Sequence, residues 1–190
     1  MPLKLNNLSK KFGEKAIFEN FSYEFDKSGL YIIKGESGIG KTTLLRMIAG
    51  LDNEYNGGIE NGGVKNISFM FQEYRLFPTL TALKNAAISS PADSEKAAEI
   101  LIKLGFTRED LSKFPRELSG GMKQRVAFVR ALIKDSPILI LDEPTKELDQ
   151  HTVNTMLSVI ENESQHRLVI MVTHDDMDGK INDSRIINLS

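Results

Sequence analysis

Cysteine is absent from the 190 residues, so disulfides and thiolate metal sites are excluded. Long apolar runs are missing too. Pro137 to Leu141 and Leu168 to Val172 fall far short of the roughly 20 apolar residues that cross a bilayer. The N-terminus, Met1-Pro2-Leu3-Lys4, lacks the apolar stretch of a secretory leader. Neither sign of charge predominates: the formal net charge is -2, and no global basic field draws in nucleic acid or acidic lipid. Low-complexity segments and internal repeats are not seen. These absences point to a cytoplasmic protein. If it acts at a membrane, another chain must supply the membrane part.

What is present suits one compact domain with a real core, since 41% of residues are apolar and 26% charged. Leu3 to Phe25 reads as short, mostly antiparallel strands, with Asn6-Asn7 and Gly13 as turn signals. Leu30 to Ile33 is a short buried strand leading into a glycine-rich loop. Thr42 to Leu51 carries helical apolar spacing at Leu44, Leu45, Ile48 and Leu51. Glycines 57, 58, 62 and 63 mark turns, and Val64 to Phe71 reads as a strand. Ser94 to Leu104 is an amphipathic helix closed by Gly105. Ser119 caps a helix running to about Ile133. Ile138 to Leu141 and Leu168 to Val172 are short and rich in β-branched residues, as strands covered on both faces of a parallel sheet are. Arg185 to Leu189 is a closing strand. The predicted plan is α/β, with a mainly parallel sheet, an N-terminal antiparallel part and a helical insertion at about 78–134 within a single domain over 1–190.

Gly35-Glu36-Ser37-Gly38-Ile39-Gly40-Lys41-Thr42 fits the P-loop pattern in full. Its glycines let backbone N–H groups turn toward a phosphate with no side chain in the way. Lys41 can reach the β- and γ-phosphates, the Thr42 hydroxyl can ligate Mg²⁺, and Thr43 can offer its N–H to the α-phosphate. A strand before and a helix after complete the context. Asp142-Glu143 ends the apolar run at 138–141, at the carboxyl end of a strand where α/β sheets gather ligands. Asp142 can hold Mg²⁺ there, and Glu143 can orient or deprotonate a water.

Leu118-Ser119-Gly120-Gly121-Met122-Lys123-Gln124-Arg125 resembles the signature of the ABC (ATP-binding cassette) family. Ser119 and the two glycines open a helix, a second place suited to phosphate. The resemblance covers nearly the whole chain, with the other family elements in order. It implies the ABC ATPase fold around a P-loop core, with ATP and Mg²⁺ as cofactors. By the same resemblance, Phe12 stacks on adenine, and Gln72 meets Mg²⁺ and the attacking water. Asp149 belongs to the loop after the acidic centre, and His174 contacts the γ-phosphate. Ser119, Gly120 and Gly121 would cover the γ-phosphate of ATP held by a second cassette, in a homodimer or heterodimer. The family further implies a membrane permease partner, with a substrate-binding protein as an additional candidate, no nucleic acid, and a place on the inner face of the membrane. Phe71 to Thr81 looks like the segment of bacterial importer ATPases for nitrate, sulfonates or taurine. ATPases of small lipoprotein or peptide exporters are similar as well. Soluble ABC ATPases acting on ribosomes or DNA, regulatory nucleotide-binding modules and P-loop kinases of small molecules are the competing classes. The chain departs from many relatives at Thr145-Lys146-Glu147, where small residues commonly precede Leu148-Asp149. Those bulky charges lie near the expected dimer seam. The chain also stops soon after its final strand, which implies no regulatory C-terminal domain.

Overall fold

The computed structural model describes residues 3–64, 66–173, 181 and 183–189. A five-stranded sheet forms the centre, in the order β5-β6-β7-β3-β8. Its strands are β3 (Gly29–Lys34), β5 (Ile67–Met70), β6 (Ile138–Asp142), β7 (Leu168–Val172) and β8 (Ser184–Asn188). All four pairings are parallel. Every residue of β6 and β7 is buried, which explains their uninterrupted apolar sequence.

The two-residue alternation of a strand divides these side chains between two cores. Leu30, Ile32, Leu139, Leu141, Val169 and Met171 face one side. There they meet α4 (Gly120–Ile133) and α5 (Gln150–Ser164). α2 (Ala82–Ala87) and α3 (Ser94–Lys103) pack around α4 on the same side. Tyr31, Ile33, Ile138, Ile140, Leu168 and Ile170 face the other side. They pack on α1 (Lys41–Ile48) and on the second, antiparallel sheet. That sheet has the order β2-β1-β4, from β1 (Leu3–Phe12), β2 (Lys15–Phe25) and β4 (Asn56–Glu60).

Several elements differ from the sequence reading. Asn6-Asn7 is not a turn. Asn7 takes a positive φ of 49° within a continuous β1, and the register with β2 shifts between Leu5 and Leu8. It is a bulge, which bends the strand without ending it. Gly57 and Gly58 lie inside β4. At Gly57 a Cβ would stand 2.5 Å from the carbonyl oxygens of Asn6 and Asn7, so glycine there admits the bulge. α5 is absent from the sequence reading, although its buried residues Val153, Met156, Leu157 and Ile160 follow helical spacing. α2, inside the polar middle section, is absent from it too. It is held by Asn85, fully buried, whose side-chain amide donates to the carbonyls of Phe77, Leu80 and Thr81 and accepts from the Phe77 N–H.

The parallel sheet aims its carboxyl ends one way. β3 delivers the loop 35–40, β5 delivers Gln72, and β6 delivers Asp142 and Glu143 to the same end of the sheet.

Candidate functional site

The loop after β3 closes on itself before it meets any ligand. Gly40, the N-cap of α1, has φ 111°. A Cβ there would come within 2.9 Å of the Phe18 ring and overlap Ile17, so both backbone angle and space demand glycine. Lys41 opens α1 and is almost fully buried. Its ammonium donates to the carbonyls of Gly35 at 2.7 Å and Glu36 at 2.8 Å. The cation is thereby fixed inside the loop. The Thr42 hydroxyl donates to Asp142 Oδ2 at 3.0 Å, joining the loop to the end of β6. Those two residues are 100 apart in sequence.

Gly40, Lys41 and Thr42 line one cleft of about 310 Å³ with Phe12, Ile17, Ser37, Gly38, Thr43, Gln72 and Glu143, and Asp142 stands behind it, bonded to Thr42. Phe12 is 54% exposed, an aromatic face free for contact. Glu143 sits at φ 53°, an angle that residues with side chains seldom adopt. Its N–H bonds the Val172 carbonyl at 2.9 Å, and its own carbonyl accepts from Gln124 at 2.7 Å. Both bonds over-determine the turn, as a strained residue at a reactive site requires.

Ile39 turns away, toward the core between the two sheets. Ser119, Gly120, Gly121 and Asp149 do not line this cleft. Ser119 caps α4, accepting from the Met122 N–H at 3.2 Å. Asp149 caps α5, accepting from the Thr152 N–H at 3.0 Å and the Thr152 hydroxyl at 2.7 Å. The Thr152 hydroxyl, and then the N–H, hold the Asp149 carboxyl below its ordinary value. His174 lies outside the described residues.

Four supporting residues escape sequence reasoning. Lys10 is buried under Phe12, its ammonium 5.0 Å from the ring centroid. It is anchored by Asp52 at 2.8 Å and the Glu54 carbonyl at 2.7 Å. The Lys10 hydrogen bond holds the Asp52 carboxyl below its ordinary value. Gln124 is a buried polar residue on an otherwise apolar helix face, and reaches the carbonyls of Glu143 and Pro144. Arg130, further along α4, donates to the carbonyls of Tyr74 at 2.8 Å and Arg75 at 2.6 Å. Burial, and then the Arg75 charge, lower its pKa. Tyr74 donates its hydroxyl to Glu147 at 2.7 Å. A buried Gln or Lys in an amphipathic pattern is the one signal that could flag any of them.

Comparison with known proteins agrees with this geometry. The family model described as ABC transporter matches residues 18–146. The aliphatic sulfonates import ATP-binding protein SsuB of Bacillus anthracis is 36% identical, with 100% of this chain and 82% of that protein covered. The lipoprotein-releasing system ATP-binding protein LolD of Bacteroides thetaiotaomicron is 35% identical over 97% of this chain and 95% of its own. A solved dimeric structure of the ATP-binding cassette MJ0796, in a post-hydrolysis state with ADP and Pi, has a TM-score of 0.84 at 30% identity. It covers 99% of this chain and 94% of that one. The chain belongs to the ABC transporter family, as an ATP-binding and ATP-hydrolysing transport subunit.

Proposed function

We propose that this chain is one domain over 1–190, with a helical part inserted at about 78–134, that works as a head-to-tail dimer holding two ATP molecules at its seam. One observation carries the reading. The P-loop cleft is complete in fixed cation, Thr42–Asp142 pair and Glu143, while the Ser119–Gly121 helix start stands outside it. Two chains in head-to-tail contact would give each cleft the other's helix start. Charge favours the arrangement. The segment 78–134 has ten basic against six acidic residues, while the rest of the chain is acidic in excess.

Phe12 would stack on the base, and the N–H groups of the loop and of Thr43 would take the phosphates. Lys41 would exchange the Gly35 and Glu36 carbonyls for β- and γ-phosphate oxygens. Glu143 would take a proton from the water that attacks the γ-phosphorus in line, as the bond to the β-phosphate oxygen breaks and ADP leaves. Gln72 and His174 would position that water and the γ-phosphate. Most of the rate enhancement comes from positioning and fixed charge. The Thr42 hydroxyl and Asp142 carboxylate, 3.0 Å apart, are hard oxygen donors of the kind that hold Mg²⁺ beside phosphate. They would hold it with Gln72, and the bound ion would neutralise phosphate charge.

A groove between the core and the helical part, near Gln72 to Thr81, would grip a helix of a membrane permease, and the hollow of about 310 Å³ lined by Leu51, Phe69, Phe71, Ser89 and Arg130 supports that reading. Among the described residues no helix is long and apolar enough to cross a membrane. The permease would therefore hold the chain on the inner membrane face. Import is the transport reading, supported by likeness to a sulfonate-import protein. Lipoprotein release is the second reading, favoured by coverage of 95% of the LolD relative against 82% of the SsuB relative. The test is affinity purification of Glu143→Gln from detergent-solubilised native membranes with ATP. A stoichiometric multi-span permease is expected, and its identity separates import from release. Recovery of soluble protein, ribosomes or DNA alone would overturn the permease reading.

A further inference from the structure

Glu147 is one of the two bulky charges that set this chain apart at 145–149, and it does not simply project into the expected seam. Its φ of 64° is left-handed, an angle uncommon for a residue with a side chain. The carboxylate accepts from the Tyr74 hydroxyl at 2.7 Å, across 73 positions of sequence. Both ends of that bond lie over Gly120. A Cβ on Gly120 would overlap Glu147 Oε2 and stand 3.2 Å from Tyr74 Oη. On Gly121 it would stand 2.9 Å from the Glu147 carbonyl oxygen and 3.3 Å from the Leu148 side chain. The two glycines thus have a use within their own chain: they let the bond and the backbone at 147–148 lie flat on the start of α4.

Three segments meet at this bond. Tyr74 follows Gln72, which lines the nucleotide cleft of the same chain. Glu147 follows Glu143, also in that cleft, on a turn whose Lys146 N–H bonds the Glu143 carbonyl. Gly120 and Gly121 open the helix that, on the dimer reading above, covers the partner's ATP. Arg130 and Gln124, both on α4, hold the backbone on either side, at Tyr74–Arg75 and at Glu143–Pro144. The segments beside the tie are thus anchored to one helix. The tie joins their free ends across the helix start.

We propose that Glu147 is a positioning residue that, through Tyr74, ties the Gln72 and Glu143 segments of one ATP site to the Gly120–Gly121 segment of the other, so that the two sites of the dimer turn over together. This rests on the two-site reading. A shift of Gln72 on arrival of a γ-phosphate pulls on Tyr74, and the strain is passed to α4 through the carboxylate rather than dissipated in the loop. Burial, and then the Glu147 hydrogen bond, raise the Tyr74 pKa, so the phenol stays a donor at working pH.

The test is a double-mutant cycle on the full chain, with Tyr74→Phe, Glu147→Ala and both together. The readouts are the Hill coefficient of ATP hydrolysis, ATP affinity at concentrations where the chain is monomeric, and Tm. Wild type should give a coefficient above 1. Each single variant should bring it to about 1, the value for independent sites. The double variant should lower it no further, and monomer ATP affinity should stay within about twofold. Glu147→Gln keeps an acceptor for Tyr74 and should retain cooperativity. A wild-type dimer without cooperativity, or variants that keep the wild-type coefficient, would overturn the tie. So would additive losses in the cycle, or losses that follow Tm alone. Failure of the two-site reading looks different: wild type itself would form no ATP-dependent dimer.

Discussion

Two helix starts in this chain are proposed to meet phosphate, and they are built differently. At α1 a strand feeds the loop, glycine supplies the positive φ, Lys41 is sunk into the loop carbonyls and Thr42 is tethered to Asp142. At α4 there is a serine cap and two glycines, with Arg125 donating from Nε to the Gly121 carbonyl at 3.1 Å, and no place in the nucleotide cleft. The first has its fixed charge before the ligand arrives. The second has its cation, Arg125, turned to the Gly121 and Leu104 carbonyls, and offers N–H groups and a hydroxyl, which on the dimer reading suits an anion whose charge is balanced by the other chain. A site that completes another molecule's site needs shape and donors more than charge of its own.

The sharpest way to break the comparison is at the acid between them. Glu143→Gln should lower kcat by about 10²- to 10⁴-fold, the range of a lost general base, while ATP still binds. Single-turnover measurements with ATP binding in parallel check this, and normal turnover would remove Glu143 from the mechanism. Next, Lys41→Ala should weaken ATP binding by about 10- to 100-fold, as expected for lost hydrogen bonds from a charged group. Equilibrium titration reads it. Gly121→Val should leave ATP binding by the single chain within about twofold of wild type, yet lose most hydrolysis, because its side chain meets the Glu147 carbonyl 2.9 Å from the Cβ position. The opposite pattern in the last two variants would reverse the roles of the two helix starts.

A smaller effect is expected beside the cleft. Phe12→Ala should weaken ATP binding by about 1–3 kcal/mol, the scale of a lost base–aromatic stack. Lys10→Met should weaken it less, since Lys10 acts on the ring and not on the base. The smallest effect concerns pH. The folded Asp149 carboxyl is depressed by Thr152, so its cap contributes stability above the unfolded carboxylate value and loses it as pH falls through the folded one. Wild type should therefore lose more Tm between about pH 5 and pH 2 than Asp149→Ser, whose cap does not titrate in that range.

The parts of the site that are legible in sequence are those made by neighbours in the chain. The loop 35–42, the pair Asp142-Glu143 and the cap at Ser119 are continuous segments, each framed by a strand or a helix pattern. The parallel sheet is legible because buried strands leave unbroken apolar runs. α5 is masked because Asp149 reads as part of the nucleotide loop, which hides its second use as a helix cap. The bulge at Asn7 looks like a turn because both use a positive φ. Lys10 with Asp52, Gln124 with Glu143, Arg130 with Tyr74 and Tyr74 with Glu147 join residues 42, 19, 56 and 73 positions apart. No local pattern encodes such pairs. They appear only once the sheet has placed its carboxyl ends together and α4 has packed behind them.

The central claim is that one chain holds two half-sites that meet head to tail only around ATP. Light scattering of Glu143→Gln tests it most directly, with and without ATP and Mg²⁺, beside Glu143→Gln carrying Gly121→Val. The account predicts the mass of one chain without ATP, twice that mass with ATP, and one chain throughout for the double variant. A dimer of the same mass without nucleotide, or a monomer that binds ATP and never pairs, would contradict it.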